Sequence, residues 1–159
     1  MNFNIDVLFR HKHFIDDVVN AIWNEWSKDF ISFTNYKTIE ELKEFYDKCG
    51  DERSIPVCYI LFNQTNLIGT CIIDNEDMNV KPQLKPWLTS VFILEPYRNK
   101  GYASALLQYV IPMYKILHLW TFNENLANFY KKFGFEQNEI ISKHGHYENI
   151  IYMNYEKKH

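Results

Sequence analysis

The sequence predicts a mixed α/β (α+β) fold: one mostly antiparallel sheet of about six to seven strands with helices on both faces. Three observations predict it. The chain has 159 residues, enough for one sizeable core and too few for two. Hydrophobic residues make up 47% and aromatic residues 17%, which excludes a disordered chain unable to offset its ordering entropy. The elements run strand, two helices, three strands, then alternating strands and helices and a closing hairpin, an order that suits a mixed sheet and not a doubly wound parallel one. No repeat or linker interrupts it, so residues 1–159 are read as a single domain.

Residues 3–9 alternate as a strand does. Phe14, Val18, Ile22 and Trp26, with Ile15, Val19 and Trp23, then recur at helical spacing over about 14–28. Thr38 followed by Glu41 is a capping box and Gly50 is placed as a C-cap, giving a second helix over 39–49 with an acidic exposed face. The runs 56–62 and 67–73, joined by Asn63-Gln64-Thr65-Asn66, read as a hairpin. Residues 74–86 hold Asp74, Asn75, Pro82 and Pro86 without periodicity and read as a loop. A strand over 87–94 leads to a helix over 102–111, which Pro112 ends. A strand at 116–122 and a helix at 125–133 closed by Gly134 follow, and the runs 135–142 and 147–155 fold about Gly145. Trp23, Trp26, Phe30 and Phe33 are read first as core and second as the lining of an acceptor pocket.

Seventeen Lys and Arg against twenty Asp and Glu leave a net charge of −3, without the basic footprint of a nucleic-acid binder. Residues 1–95 carry 9 basic and 15 acidic side chains and residues 96–159 carry 8 and 5, which either suits the second part to an anion and the first to a cation or is a chance scatter of solvated charges. The cysteines, Cys49, Cys58 and Cys71, are odd in number and form no C-x-x-C; Cys58 and Cys71 lie in apolar runs as small core residues. The opening MNFNIDVLFRHKHF has no apolar signal region, and no run approaches the roughly 18 residues of a membrane span, so a reducing cytoplasmic setting without membrane contact is expected. His144 and His146, like His11 and His13, would face one way on a strand, but no third ligand accompanies either pair and no metal is expected.

The stretch from Ser90 to Ala103 runs strand, short turn, helix. Successive backbone N–H groups in such a turn converge on an anion, the helix N-terminus adds partial positive charge, and Gly101 lets a ligand come close. Arg98, one of three arginines, and Lys100 add full charges. The alternative is an ordinary solvated connection. At these residues the chain resembles the GNAT superfamily of acetyl-CoA-dependent N-acetyltransferases. The pattern R/Q-x-x-G-x-G/A is matched by Arg98-x-x-Gly101-x-Ala103, with Pro96 before it. The block N-x(6)-Y-x-K-x-G-F is matched by Asn123 and Tyr130-Lys131-Lys132-Phe133-Gly134-Phe135. The detailed resemblance covers residues 87–135.

The resemblance implies a mixed sheet in which the backbone of Val91, Phe92 and Ile93 pairs with the pantetheine arm of acetyl-CoA, held like an added strand. It implies that the turn through Arg98, Asn99, Lys100, Gly101, Tyr102, Ala103 and Ser104 holds the pyrophosphate. Asn123, or Asn125 one alignment gap away, would bind the arm. Tyr130 would lie near the sulfur and give a proton to the leaving thiolate; its other reading is a packed aromatic. Two departures stand out. The helix after Gly101 is short, and the strand Glu that deprotonates the amine in many relatives is absent from Trp87-Leu88-Thr89-Ser90. Glu25, Glu124 and His146 are the candidate bases, His146 because its ordinary pKa is about 6.5 and because some relatives with the P-W-L strand place a Gly-His pair in that turn. A water relay is an equal alternative. The expected function is acetyl transfer from acetyl-CoA to a primary amine of a small cationic molecule or peptide by direct attack, with no nucleophilic cysteine. The alternative, a noncatalytic acyl-CoA-binding or sensing module, is favoured by the missing Glu and opposed by the retained Asn123 and Tyr130. The acceptor is not readable: a polyamine, an aminoglycoside, an amino acid and a peptide N-terminus all fit. Exposed strand edges in the tail leave room for a homodimer.

Overall fold

The computed structural model describes residues 2–33, 36–78, 81–145 and 147–158, with the backbone alone of Ser32 and Phe33. Among them, seven strands form one mixed sheet: β1 (Asn4–Val7), β2 (Val57–Phe62), β3 (Leu67–Asp74), β4 (Trp87–Ile93), β5 (Ile116–Thr121), β6 (Glu136–His144) and β7 (Tyr147–Glu156), in the order β1-β2-β3-β4-β5-β7-β6. Neighbours are antiparallel except β4 and β5, which are parallel. Four helices accompany them: α1 (Ile15–Phe33), α2 (Ile39–Lys48), α3 (Tyr102–Val110) and α4 (Glu124–Lys131).

Alternation along β2 shows why its run is apolar throughout. Val57, Tyr59 and Leu61 belong to a core shared with Leu106, Leu107 and Val110 of α3 and Ala127 of α4. Cys58 and Ile60 point the other way, to Val18, Val19 and Ile22 of α1 and Leu42 and Tyr46 of α2. A strand covered on both faces needs apolar side chains at every position, and each one fully buried contributes about 1.5–3 kcal/mol. Cys58 and Cys71 are fully buried, as expected of small core residues.

Local chemistry sets the ends of these elements. Asn63 Oδ1 accepts from the amides of Thr65 (3.2 Å) and Asn66 (2.9 Å), which closes the β2–β3 hairpin. Thr38 accepts from the Glu41 amide at 3.2 Å and starts α2, while the Glu41 carboxylate takes the Lys37 amide. Pro112 lies in the 3-10 turn Ile111–Met113 that finishes α3, and Gly134 takes φ +97° after α4.

Three expectations need correction. The first strand covers only Asn4–Val7, because the Asp6 carboxylate takes the Val7 amide (2.8 Å) and Arg10 (2.7 Å) and drives the chain into 3-10 turns over Leu8–Arg10 and Lys12–Phe14. The first helix runs on to Phe33, broken at Trp26 (φ −123°), whose ring stands edge-on to Phe92 at 5.2 Å. Gly50 is not a C-cap: Cys49 takes that place in extended geometry, and the Gly50 amide donates to Pro56 O at 3.1 Å, drawing the chain into the sheet. The tail hairpin forms about Gly145, and its outer strand β6 leaves Ile140 58% exposed at one edge.

Gly69 on β3 faces Ile93 on β4. A Cβ there would collide with the Ile93 side chain and come within 3.0 Å of the Phe92 carbonyl oxygen. Gly69→Ala is expected to lower unfolding stability by about 1–3 kcal/mol in urea titrations; an unchanged midpoint would show that this pair of strands yields space freely.

Candidate active site

One bridge joins β4 to β5, Trp87 opposite His118, supported by the His118 amide donating to Pro86 O at 3.0 Å. Beyond it the strands part. On its other side β4 stays paired with β3, but Ser90 and Val91 together oppose the single residue Cys71, and Ser90 takes φ +54°. This bulge bends β4 away from its parallel neighbour. The opening leads into a cavity of about 860 Å³ lined by Thr89, Ser90 and Val91 of β4, Leu119, Trp120 and Thr121 of β5, and the outer half of α1.

At the far end of β4 a 3-10 turn (Glu95–Tyr97) delivers the chain to Asn99 (φ +63°) and Gly101 (φ +85°), the N-cap of α3. A Cβ on Gly101 would meet no atom within 4 Å, so the space beside the turn at this residue is open. The amides of Tyr102, Ala103 and Ser104 begin the helix, where N–H groups have no intrahelical acceptor. This arrangement fits a pyrophosphate. Arg98 is placed less simply. Its Nε donates to Ile93 O at 2.8 Å, its guanidinium lies 5.2 Å from the Phe92 ring centre, and an Nη reaches Glu25 at 3.8 Å, so the side chain braces the turn from within. Lys100 bonds the Pro96 carbonyl at 3.2 Å.

Val91 and Ile93 are partly exposed and Phe92 is buried. Asn123 is the exposed N-cap of α4, its Oδ1 accepting from the Leu126 amide at 2.9 Å, and Asn125 is exposed in the first turn. Tyr130 lines the cavity, packed edge-on against Phe129 and Phe135. Burial holds its phenol above the ordinary range, so it is protonated at neutral pH. Glu25 and Glu124 are exposed and lie outside the cavity lining. His146 lies outside the described residues, as does the side chain of Phe33. Trp26 and Phe30 pack on the core and also line the cavity, while Trp23 packs on the core without lining it. Among the described residues no group of three His, Cys, Asp or Glu could hold a metal, and no helix is long and apolar enough to cross a membrane.

The cavity is acidic and aromatic. Asp29 of α1 accepts from the Tyr147 hydroxyl at 2.9 Å, and Asp74, Glu76 and Asp77 enter from the end of β3 and the loop after it. Burial raises the Asp74 carboxyl. Asp77 is pushed up to about 8 by burial, with Asp74 repelling its charge and hydrogen bonding from Thr89 and Trp120 pulling the other way. The sequence reading missed Asp77; its one signal was an acidic run following directly on an apolar strand. The Tyr46 hydroxyl, fully buried at the cavity wall, has no hydrogen-bond partner among the described residues.

The acetyltransferase (GNAT) family model matches residues 17–135. No curated protein matches the chain significantly. Among solved structures the chain is similar to an acetyltransferase of the GNAT family from Bacillus cereus (TM-score 0.70, 16% identity, 100% of each chain covered). It is similar also to the spermidine N-acetyltransferase of Vibrio cholerae in complex with CoA and spermine (TM-score 0.67, 18% identity, 96% of this chain and 94% of that one). A third is the PaiA N-acetyltransferase of Thermoplasma acidophilum in complex with coenzyme A (TM-score 0.64, 16% identity, 99% and 100% covered). At these identities the likeness is one of fold.

The Asp77 carboxyl binds its proton more tightly folded than unfolded. Its contribution to stability is therefore complete below about pH 4 and is lost as pH rises toward about 8. Asp77→Asn keeps the shape without the charge. The unliganded variant is expected to lose less stability than wild type between pH 5 and 9 and to melt higher at pH 9; parallel pH profiles would show that Asp77 is not held protonated.

Proposed function

The chain belongs to the acetyltransferase (GNAT) family, and from that premise we propose that it transfers acetyl from acetyl-CoA to a primary amine of a small cationic molecule or peptide, by direct attack in a ternary complex. One observation carries the reading: the gap between β4 and β5 runs from an open anion-binding turn at Gly101 to a cavity walled by carboxylates and aromatic rings, with Tyr130 facing the same space. Acetyl-CoA brings a thioester, and the free edge of β4 at Val91–Ile93 suits its amide-bearing arm. Backbone amides from Asn99 to Ser104, with Lys100, suit its pyrophosphate. Carboxylates and aromatic faces together suit an ammonium group. The acids that line the cavity, Asp29, Asp74, Glu76 and Asp77, all come from the acidic part of the chain. The spermidine acetyltransferase likeness supports a cationic amine as the acceptor class. Three buried free thiols support a reducing, cytoplasmic setting.

Tyr130 gives the reading its chemistry. A protonated phenol beside the departing sulfur stabilises the developing thiolate more than the bound thioester. The alternative, a module that binds acyl-CoA without turnover, has no use for that hydroxyl.

Acetyl-CoA is expected to raise the melting temperature, and Gly101→Glu to abolish the shift by filling the turn and repelling phosphate; an undiminished shift removes the turn from the binding site. In an acceptor panel read by release of CoA thiol, wild type is expected to turn over at least one amine. Tyr130→Phe is expected to lower kcat by roughly ten- to a thousandfold, about 1.4–4 kcal/mol of barrier, with the acetyl-CoA Kd little changed. Full kcat in that variant rejects the acid role.

A further inference from the structure

Asp77 stands where the gap between the strands opens into the cavity. It is half-buried and lines the cavity together with Thr89 of β4 and Trp120 of β5. We propose that Asp77, delivered by the loop after β3, is the general base that takes the proton from the acceptor ammonium. The proposal rests on the transferase reading above and supplies the group that the Trp87-Leu88-Thr89-Ser90 strand lacks. Glu25 and Glu124 cannot serve, since neither lines the cavity.

The surroundings suit a carboxylate that must take a proton and release it. From β3 and the loop, Asp74 and Glu76 add negative charge, and Asp29 from α1 is tied to the Tyr147 hydroxyl. Lys81 pairs with Glu139 and sits over the Tyr152 ring at 4.8 Å, so its charge is already engaged. His144 of β6 lies edge-on to Trp120 at 4.8 Å, and burial lowers its pKa, keeping it neutral. Tyr130 is protonated. A base near 8 also lies far closer to an alkyl ammonium, at about 10, than an ordinary aspartate at about 4 does.

The step balances as follows. The ammonium gives one proton to the Asp77 carboxylate and becomes a free amine. Its lone pair forms the C–N bond as the C–S bond breaks and the electron pair leaves on sulfur. The second nitrogen proton reaches that sulfur through the Tyr130 hydroxyl, which gives one proton and receives one. The products are the amide, CoA thiol and protonated Asp77, which returns its proton to solvent.

The test uses the full chain with acetyl-CoA and two probe acceptors, 1,4-diaminobutane, an ammonium at neutral pH, and methoxyamine, already a free base there. For the diamine, wild-type kcat/KM is expected to rise with pH along a limb near 8. Asp77→Asn should lose about a hundredfold or more at pH 7.5 and lose that limb. The same variant should keep methoxyamine turnover close to wild type and leave the acetyl-CoA Kd unchanged. Thr89→Val, which removes a hydroxyl that favours the charged carboxylate, should move the limb to higher pH. Apart from turnover, carboxyl 13C titration of the unliganded, aspartate-labelled protein should place Asp77 near 8. Equal losses with both amines, no loss with the diamine, or a midpoint near 4 overturns the assignment. A wild-type protein that binds acetyl-CoA yet releases no thiol with these two amines or with any amine of the acceptor panel overturns the transferase reading, and the base falls with it.

Discussion

An interior strand of a sheet has two edges to satisfy, and β4 gives up one of them after a single bridge at Trp87. Leaving backbone polar groups without a ladder is costly wherever water cannot reach them, so the break needs support on every other side. β3 supplies it along the opposite edge of β4, and β7 does the same for β5 through six residue pairs from Ile116 to Thr121. Trp87 itself is fully buried, with its indole N–H donating to Leu84 O at 2.7 Å, which fixes the point where the two strands separate. The bulge at Ser90 then sets the direction in which they diverge. Had the ladder continued, there would be no gap between the two strands and no cavity beyond it lined by Asp77, Thr89 and Trp120.

A second cost sits in that cavity. Asp77 and Asp74 are carboxyl groups that burial pushes away from their charged form, and the Tyr46 hydroxyl has no hydrogen-bond partner among the described residues. A fold selected for stability alone would place apolar side chains here, since a buried polar group without full compensation costs about 1–3 kcal/mol. Such groups collected around one opening mark it as a candidate functional site. The cores around it are conventional by comparison, with both faces of β2 and β3 closed by helices.

What the sequence disclosed followed from how local each signal was. The strand–turn–helix at Gly101, the β2–β3 hairpin, the α2 cap and the Gly134 terminus are short patterns whose geometry is decided by neighbouring residues, and each appears where its pattern places it. Gly50 failed because a tertiary contact, its amide to the Pro56 carbonyl, overrode a locally reasonable cap. The break at Trp26 was hidden because the helical spacing of apolar residues continues through it; only the Phe92 ring across the core gives Trp26 a reason to leave helical geometry. Asp77 was the least legible residue. A loop aspartate reads as solvated, and the residues that line the cavity with it, Thr89 and Trp120, lie 12 and 43 positions away and join it only in the folded chain.

The two ends of the site are not mechanically independent. Arg98 lies over one side of the Phe92 ring at 5.2 Å, and Trp26 meets that ring edge-on at the same distance, so the turn before α3 and the α1 wall of the cavity are joined through one buried aromatic. Glu25, one residue before the break in α1, reaches back to the Arg98 guanidinium at 3.8 Å and closes the circuit from the helix side. That contact is exposed and worth little by itself. The packing is different in kind, because close-packed interiors transmit a displacement instead of absorbing it. The segment of α1 that carries Asp29 and Phe30 along the cavity wall is thus packed to the Arg98 turn through a single phenylalanine.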